Sequence, residues 1–183
     1  FSMKACPGGT FPTGTNNMGE ATVDSFWIAE TEVTNELLAA VFQWAYDEGK
    51  LSEGTVTGST VTLYGRQLLD LDGGSIQVEF TGGSFSAVSG YEHYPVVEIT
   101  WYGAILFCNW LTEMADGGTE ERVYSGMENW PGGETVEDPS KSGFRLLTKN
   151  EWECAARYIG TVNPGFGIEH PVSSGMYWTS GTY

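Results

Sequence analysis

Basic residues are scarce in this chain, and the scarcity narrows its partners before any motif is read. Eight Lys and Arg stand against 24 Asp and Glu, a formal charge of −16. Such a field repels phosphate backbones and anionic membrane surfaces, so nucleic-acid binding is disfavoured. Cations or basic peptides would be attracted, although acidity of this kind also serves solubility outside the cell. Histidine is scarcer still. His93 and His170 are far apart in sequence, and a metal site wants at least three convergent ligands, so both read as loop residues. No stretch approaches 18 apolar residues, which argues against membrane insertion by this chain.

Cysteine is also sparse: Cys6, Cys108 and Cys154 match no zinc spacing and cannot all pair with one another. Cys108 sits in the apolar run Ala104-Ile105-Leu106-Phe107-Cys108, and Cys154 in Trp152-Glu153-Cys154-Ala155-Ala156. Both read as small hydrophobes buried on helices, reduced and without metal. A catalytic thiol wants a basic, partly open setting, which neither neighbourhood supplies. Cys6, near the start, carries no readable context.

Aromatics and glycine are plentiful instead. Aromatic residues make up 14% of the chain and glycine 25 residues, the composition of an irregular, loop-rich core. Three helices are predicted. The first runs from about Asn35 to Asp47 behind Thr34 as N-cap, with Leu37, Leu38, Val41, Phe42 and Ala45 inward and Gly49 beyond its end. The second runs from about Trp101 to Ala115 behind Thr100, with a stripe of Ile105, Cys108, Leu111 and Ala115. The third opens on a capping box, Thr148-Lys149-Asn150-Glu151, and turns Trp152, Ala155, Ala156 and Ile159 inward before Gly160. A strand, Val96-Val97-Glu98-Ile99, precedes the second helix. A β-rich insertion is expected over about 51–90, with a hairpin turn at Asp72-Gly73-Gly74, and an ordered surface loop from Asp116 to Gly143.

Chemical motifs are few. Asp70-Leu71-Asp72-Gly73 lacks the further ligands of a calcium loop and reads as a turn. Glu151 serves the cap, and Glu153 lies two residues away on another face, so they form no acid–base pair. No glycine-rich phosphate loop follows a strand.

Four blocks, in order, resemble one family. They are Pro7-Gly8-Gly9-Thr10-Phe11; Phe26-Trp27-Ile28-Ala29-Glu30-Thr31-Glu32-Val33-Thr34-Asn35; Tyr94-Pro95-Val96-Val97-Glu98-Ile99-Thr100-Trp101-Tyr102-Gly103-Ala104 with Phe107-Cys108-Asn109-Trp110-Leu111; and Phe144-Arg145-Leu146-Leu147-Thr148-Lys149-Asn150-Glu151-Trp152-Glu153-Cys154-Ala155-Ala156-Arg157. Each is weak alone, and together they resemble the formylglycine-generating enzymes, or sulfatase-modifying factors. The resemblance implies an α+β fold, an irregular variant of the C-type-lectin fold with about three helices, small antiparallel sheets and long loops. It implies one domain over residues 1–183 whose C-terminal part is expected to be missing.

Enzymes of this family oxidise a substrate cysteine with copper held by two cysteines beyond the last matched block, and their calcium ligands also follow it. None of Cys6, Cys108 and Cys154 matches that copper pair, so the resemblance carries over no catalytic residue and no metal ligand. Leu147 and Lys149 replace the proline and the acidic or small residue common at the enzymes' helix entry, and the stretch after Tyr158 lacks their tyrosine-proline-tryptophan-glycine run. The reading is therefore a non-catalytic module for binding or displaying a protein or other macromolecular ligand, like the retroelement-diversified variable proteins of the same fold. Tyr177, Trp178 and Tyr183 in its aromatic tail are the candidate contacts, and the cell surface or exterior is the expected location. The alternative is a copper-dependent formylglycine-generating oxidase whose catalytic region lies outside this chain. A sulfoxide synthase is a third, weaker reading, since no separate histidine-bearing domain is visible.

Overall fold

The computed structural model describes residues 1–14, 19–116, 118–130 and 132–158. Each of the three α-helices among the described residues opens behind a threonine. Thr34 accepts the Leu37 N–H at 3.3 Å to start α1 (Asn35–Asp47). Thr100 accepts the Gly103 N–H at 3.1 Å to start α2 (Trp101–Asp116). Thr148 accepts the Glu151 N–H at 3.2 Å to start α3 (Lys149–Arg157). Each hydroxyl satisfies an amide that has no carbonyl one turn back. At α3 the Glu151 carboxylate returns to the Thr148 N–H at 2.8 Å, completing the predicted reciprocal cap.

The strands are β1 (Met3–Cys6), β2 (Gly9–Thr13), β3 (Gly19–Val23), β4 (Phe26–Ala29), β5 (Gly54–Val56), β6 (Thr60–Leu63), β7 (Arg66–Asp70), β8 (Val78–Thr81), β9 (Ser84–Ala87), β10 (Tyr124–Ser125) and β11 (Val136–Glu137). Among the described residues all pairings are antiparallel: β1 with β4, β2 with β3, β5-β6-β7, β8 with β9, and β10 with β11. The class is α+β, as expected, with three α-helices, small sheets and much loop among the described residues. Among the described residues no helix is long and apolar enough to cross a membrane.

The described residues fall into two units. The larger, Thr31–Leu146, is built around α2, whose residues Ile105 to Glu113 are buried without a break. A helix buried all round is a central helix, not a one-sided one. Helix α1 adds Leu38, Val41, Phe42 and Ala45 to the same core, with Phe42 edge-on to Trp110 at 5.2 Å and to Phe85 at 5.8 Å. At Gly103, α2 meets β7 so closely that a Cβ would lie 2.2 Å from the Leu68 carbonyl oxygen.

Four expectations for this unit need correction. The turn at Asp72-Gly73-Gly74 joins no hairpin, because β7 pairs back to β6 while β8 pairs forward to β9. Two-residue hairpin loops lie instead at Tyr64-Gly65, between Leu63 and Arg66, and at Gly82-Gly83, between Thr81 and Ser84, with positive φ at both residues of each (50° and 73°, 63° and 87°). Val96 to Ile99 forms no strand: one single bridge, Thr34 to Pro95, precedes it and another, Leu69 to Ile99, ends it. The segment 116–143 is more than surface, since its described residues contribute buried Val123, Tyr124, Met127 and Trp130 to the core. The apolar stripe of α2 also stops short of Ala115, which is exposed.

The smaller unit joins Phe1–Glu30 to the chain from Leu147 onward. Among the described residues its core is Cys6, Phe11, Phe26 and Cys154, with Ala21, Val23, Ile28, Leu147 and Ala155 packed alongside. Trp152, expected inside, is 52% exposed, and Ala155 and Ala156 are only half-buried. The inward face of α3 is instead Glu151, Cys154 and Arg157. Trp152 lies roughly 160° around the helix from Cys154. The face is fixed by the Cys154 thiol and by Arg157, 2% exposed, which donates to Glu153 Oε1 at 2.7 Å and to the Gly14 carbonyl at 2.9 Å. Ile159 and Gly160 lie outside the described residues.

Candidate functional site

Several polar residues of the matched blocks hold backbone. Asn35, fully buried, donates through Nδ2 to the Tyr91 carbonyl at 2.8 Å, and its own N–H donates to the Tyr94 carbonyl at 3.0 Å. The Glu36 N–H takes the Glu92 carbonyl at 3.0 Å, and the Val96 N–H takes that of Val33 at 2.8 Å. The first turn of α1 thus grips residues 91–96 by their main chain. That grip leaves the Tyr91 and Tyr94 rings outward, 43% and 57% exposed, their centroids 5.4 Å apart. Asn109 works the same way on α2. Its Nδ2 donates to the Tyr124 carbonyl at 2.7 Å, and its Oδ1 accepts the Tyr124 N–H at 3.2 Å.

The larger unit also holds a cleft of about 200 Å³ walled by Lys50, Tyr64, Leu106, Trp110, Glu113 and Arg122. Glu113 is buried there between two cations, Lys50 Nζ at 2.8 Å and Arg122 Nη2 at 2.5 Å. Pairing of this kind is what permits a carboxylate to be buried. Lys50 also lies 5.6 Å from the centre of the Trp44 ring. Tyr64 occupies the left-handed hairpin position noted above, which costs a bulky side chain about 1–3 kcal/mol. Burial pushes its hydroxyl pKa up, Glu53 and Glu128 push it further, and Arg122 opposes them. The cleft is smaller than the ~300 Å³ at which drug-sized ligands begin to be enclosed.

Sequence reading missed this cleft. Lys50, Glu113 and Arg122 come from three separate segments, and Tyr-Gly is a weak turn signal because tyrosine rarely adopts positive φ. The residues it singled out are dispersed. Tyr177, Trp178, Tyr183 and His170 lie outside the described residues. His93 is exposed, its Nδ1 3.6 Å from the Glu36 carboxylate. Asp70 accepts the Asp72 N–H at 3.0 Å, a local turn contact. Glu153 binds Arg157, so Glu151 and Glu153 have separate tasks. Among the described residues no group of three or more His, Cys, Asp or Glu converges for a metal ion. Cys108 and Cys154 are free and buried as expected, and burial pushes both thiols up to about 12. What sequence did not disclose is that Cys6 is buried too, its Sγ 3.9 Å from that of Cys154.

Comparison with known proteins agrees with this architecture. No curated protein matches the chain significantly. A solved structure described as the crystal structure of CarF is similar, with a TM-score of 0.58 at 22% identity over 85% of this chain. At that identity the likeness concerns the fold. The match covers 56% of CarF, so this chain spans about half the length of that structure. The sulfatase-modifying factor enzyme 1-like domain matches residues 2–182, nearly the whole sequence, and the chain belongs to that family.

Proposed function

We propose that this chain is a non-catalytic ligand-binding module, a display scaffold of C-type-lectin type carried at the cell surface. One observation carries the reading. Asn35, Thr100, Asn109, Thr148 and Glu151, polar residues of the family blocks, all bind main chain and so hold loops in place. A rigid scaffold with exposed aromatic side chains is what display asks for, since Tyr and Trp give large contact area at little entropic cost. Tyr177, Trp178 and Tyr183 are proposed as ligand contacts, with Tyr91 and Tyr94 as a second aromatic pair. The partner is a protein or other macromolecule.

Copper-dependent oxidation of a substrate cysteine is the second reading, and the family's name favours it. The described thiols do not suit that role. Cys6 and Cys154 have the softness that copper(I) selects, but at 4% and 0% exposure a substrate thiol has no approach to them. The test is a sulfatase-derived cysteine peptide incubated with the chain, copper and oxygen, and read by mass for conversion of thiol to aldehyde. We expect no conversion above a no-protein control, and turnover would overturn the binding-module reading. In parallel, an array of proteins and glycans is probed with the wild-type chain and with Tyr177→Ala/Trp178→Ala/Tyr183→Ala. Binders lost by the variant support the reading; binders shared equally remove those residues from it.

A further inference from the structure

The geometry points to Cys6 and Cys154 as a disulfide-forming pair, a covalent staple closing the smaller unit, with an oxidised low-molecular-weight thiol such as glutathione disulfide as its oxidant. The inference is independent of the functional reading above. Cys6 ends β1, where it pairs with Phe26 of β4, and Cys154 lies in the middle of α3. Their sulfurs are 3.9 Å apart although 148 positions separate them in sequence. A disulfide needs about 2.05 Å between sulfurs, so its formation draws these two adjacent thiols together by ~2 Å.

The surroundings give the bridge a purpose. The unit is discontinuous, made of Phe1–Glu30 and the chain from Leu147, and among the described residues four buried hydrophobic ones form the centre of its core. Two of those four are the cysteines. Small units are commonly secured by disulfides. A link between these positions also closes a long loop, the case in which a cross-link restricts the unfolded chain most. Cys108 belongs to the core of the other unit.

The reaction balances by thiol–disulfide exchange. One protein thiolate attacks a sulfur of glutathione disulfide, forming a mixed disulfide and releasing one glutathione. The second protein thiolate attacks the protein sulfur of that mixed disulfide, forming the Cys6–Cys154 bond and releasing the second glutathione. The protein loses two electrons and two protons, and the small disulfide gains them. Both thiols are sealed in the folded unit, and burial holds Cys154 in its protonated form, so exchange runs during folding or when the short strand β1 opens.

The test is to refold the chain from denaturant in a reduced and oxidised glutathione mixture, then quench with acid. We expect an intact mass lower by about 2 Da, one titratable thiol after denaturation in place of three, and a proteolytic peptide joining Cys6 to Cys154. Reduction should then lower the melting temperature on the order of 5–10 °C in the wild type, and leave Cys6→Ser/Cys154→Ser unmoved. Should that double variant fail to fold, Cys108→Ser serves instead, because its two remaining thiols should both disappear on oxidation. Three free thiols at equilibrium, glutathione adducts without an internal bond, or a link to Cys108 would each overturn the proposal.

Discussion

Asn109, 1% exposed, engages the main chain of Tyr124 through both Nδ2 and Oδ1. Its removal leaves a buried N–H and a buried carbonyl unpaired, and each such orphan costs about 1–3 kcal/mol. Asn109→Ala should therefore destabilise the protein by about 3 kcal/mol, read as a lower urea midpoint with an unchanged slope. An unaltered midpoint would mean that solvent reaches Tyr124 and that the clamp does not matter. Cys108 allows a second prediction at this scale. Burial holds its pKa at about 12, so at pH 8 almost no thiolate forms in the folded protein. Iodoacetamide should leave Cys108 unmodified in buffer and label it in urea. Labelling at equal rates in both would place the sulfur at the surface.

At the scale of elements, α3 depends on its cap and α2 on a close approach. Thr148→Ala removes the hydroxyl that accepts the Glu151 N–H, and should cost about 1 kcal/mol in denaturant unfolding. Gly103→Ala should cost more, because the new methyl meets main chain, which yields less readily than a flexible side chain. Overpacking of this sort typically costs about 1–3 kcal/mol. The loop reaching Ser142 has a pH dependence of known sign. Glu121 is held below its ordinary carboxylate value, first by the Ser142 N–H and then by the Ser142 hydroxyl. A depressed folded pKa gives a stabilisation present above the unfolded value and lost as pH falls through the folded one. Amide protection around Ser142, corrected for intrinsic exchange, should therefore hold at neutral pH and fall below the ordinary value of 4.5. Glu121→Gln should abolish that fall.

Over the whole molecule, the charge of −16 sets the response to salt. Self-repulsion destabilises a compact acidic chain, and the Debye length shrinks from about 30 Å at 0.01 M to about 10 Å at 0.1 M salt. The melting temperature should rise over that interval. A fall would mean that pairs such as Lys4 with Glu30, 3.2 Å apart and exposed, outweigh the general repulsion.

The sequence by itself determined whatever depends on near neighbours. It placed α1 at Asn35–Asp47 and the reciprocal cap on α3, because a cap is settled within four residues. It also led to the family, since the four blocks keep their order along the chain. Only the tertiary structure decided which face of α3 turns inward: apolar spacing favoured Trp152, whereas Cys154 and the buried Arg157 with its Gly14 partner set the rotation. The same holds for strand pairing, where β7 and β8 follow one another and yet belong to different sheets. The cleft around Glu113 and the approach of Cys6 to Cys154 were illegible for one physical reason. Each joins residues far apart along the chain, and their distance in space is fixed by how the intervening elements pack.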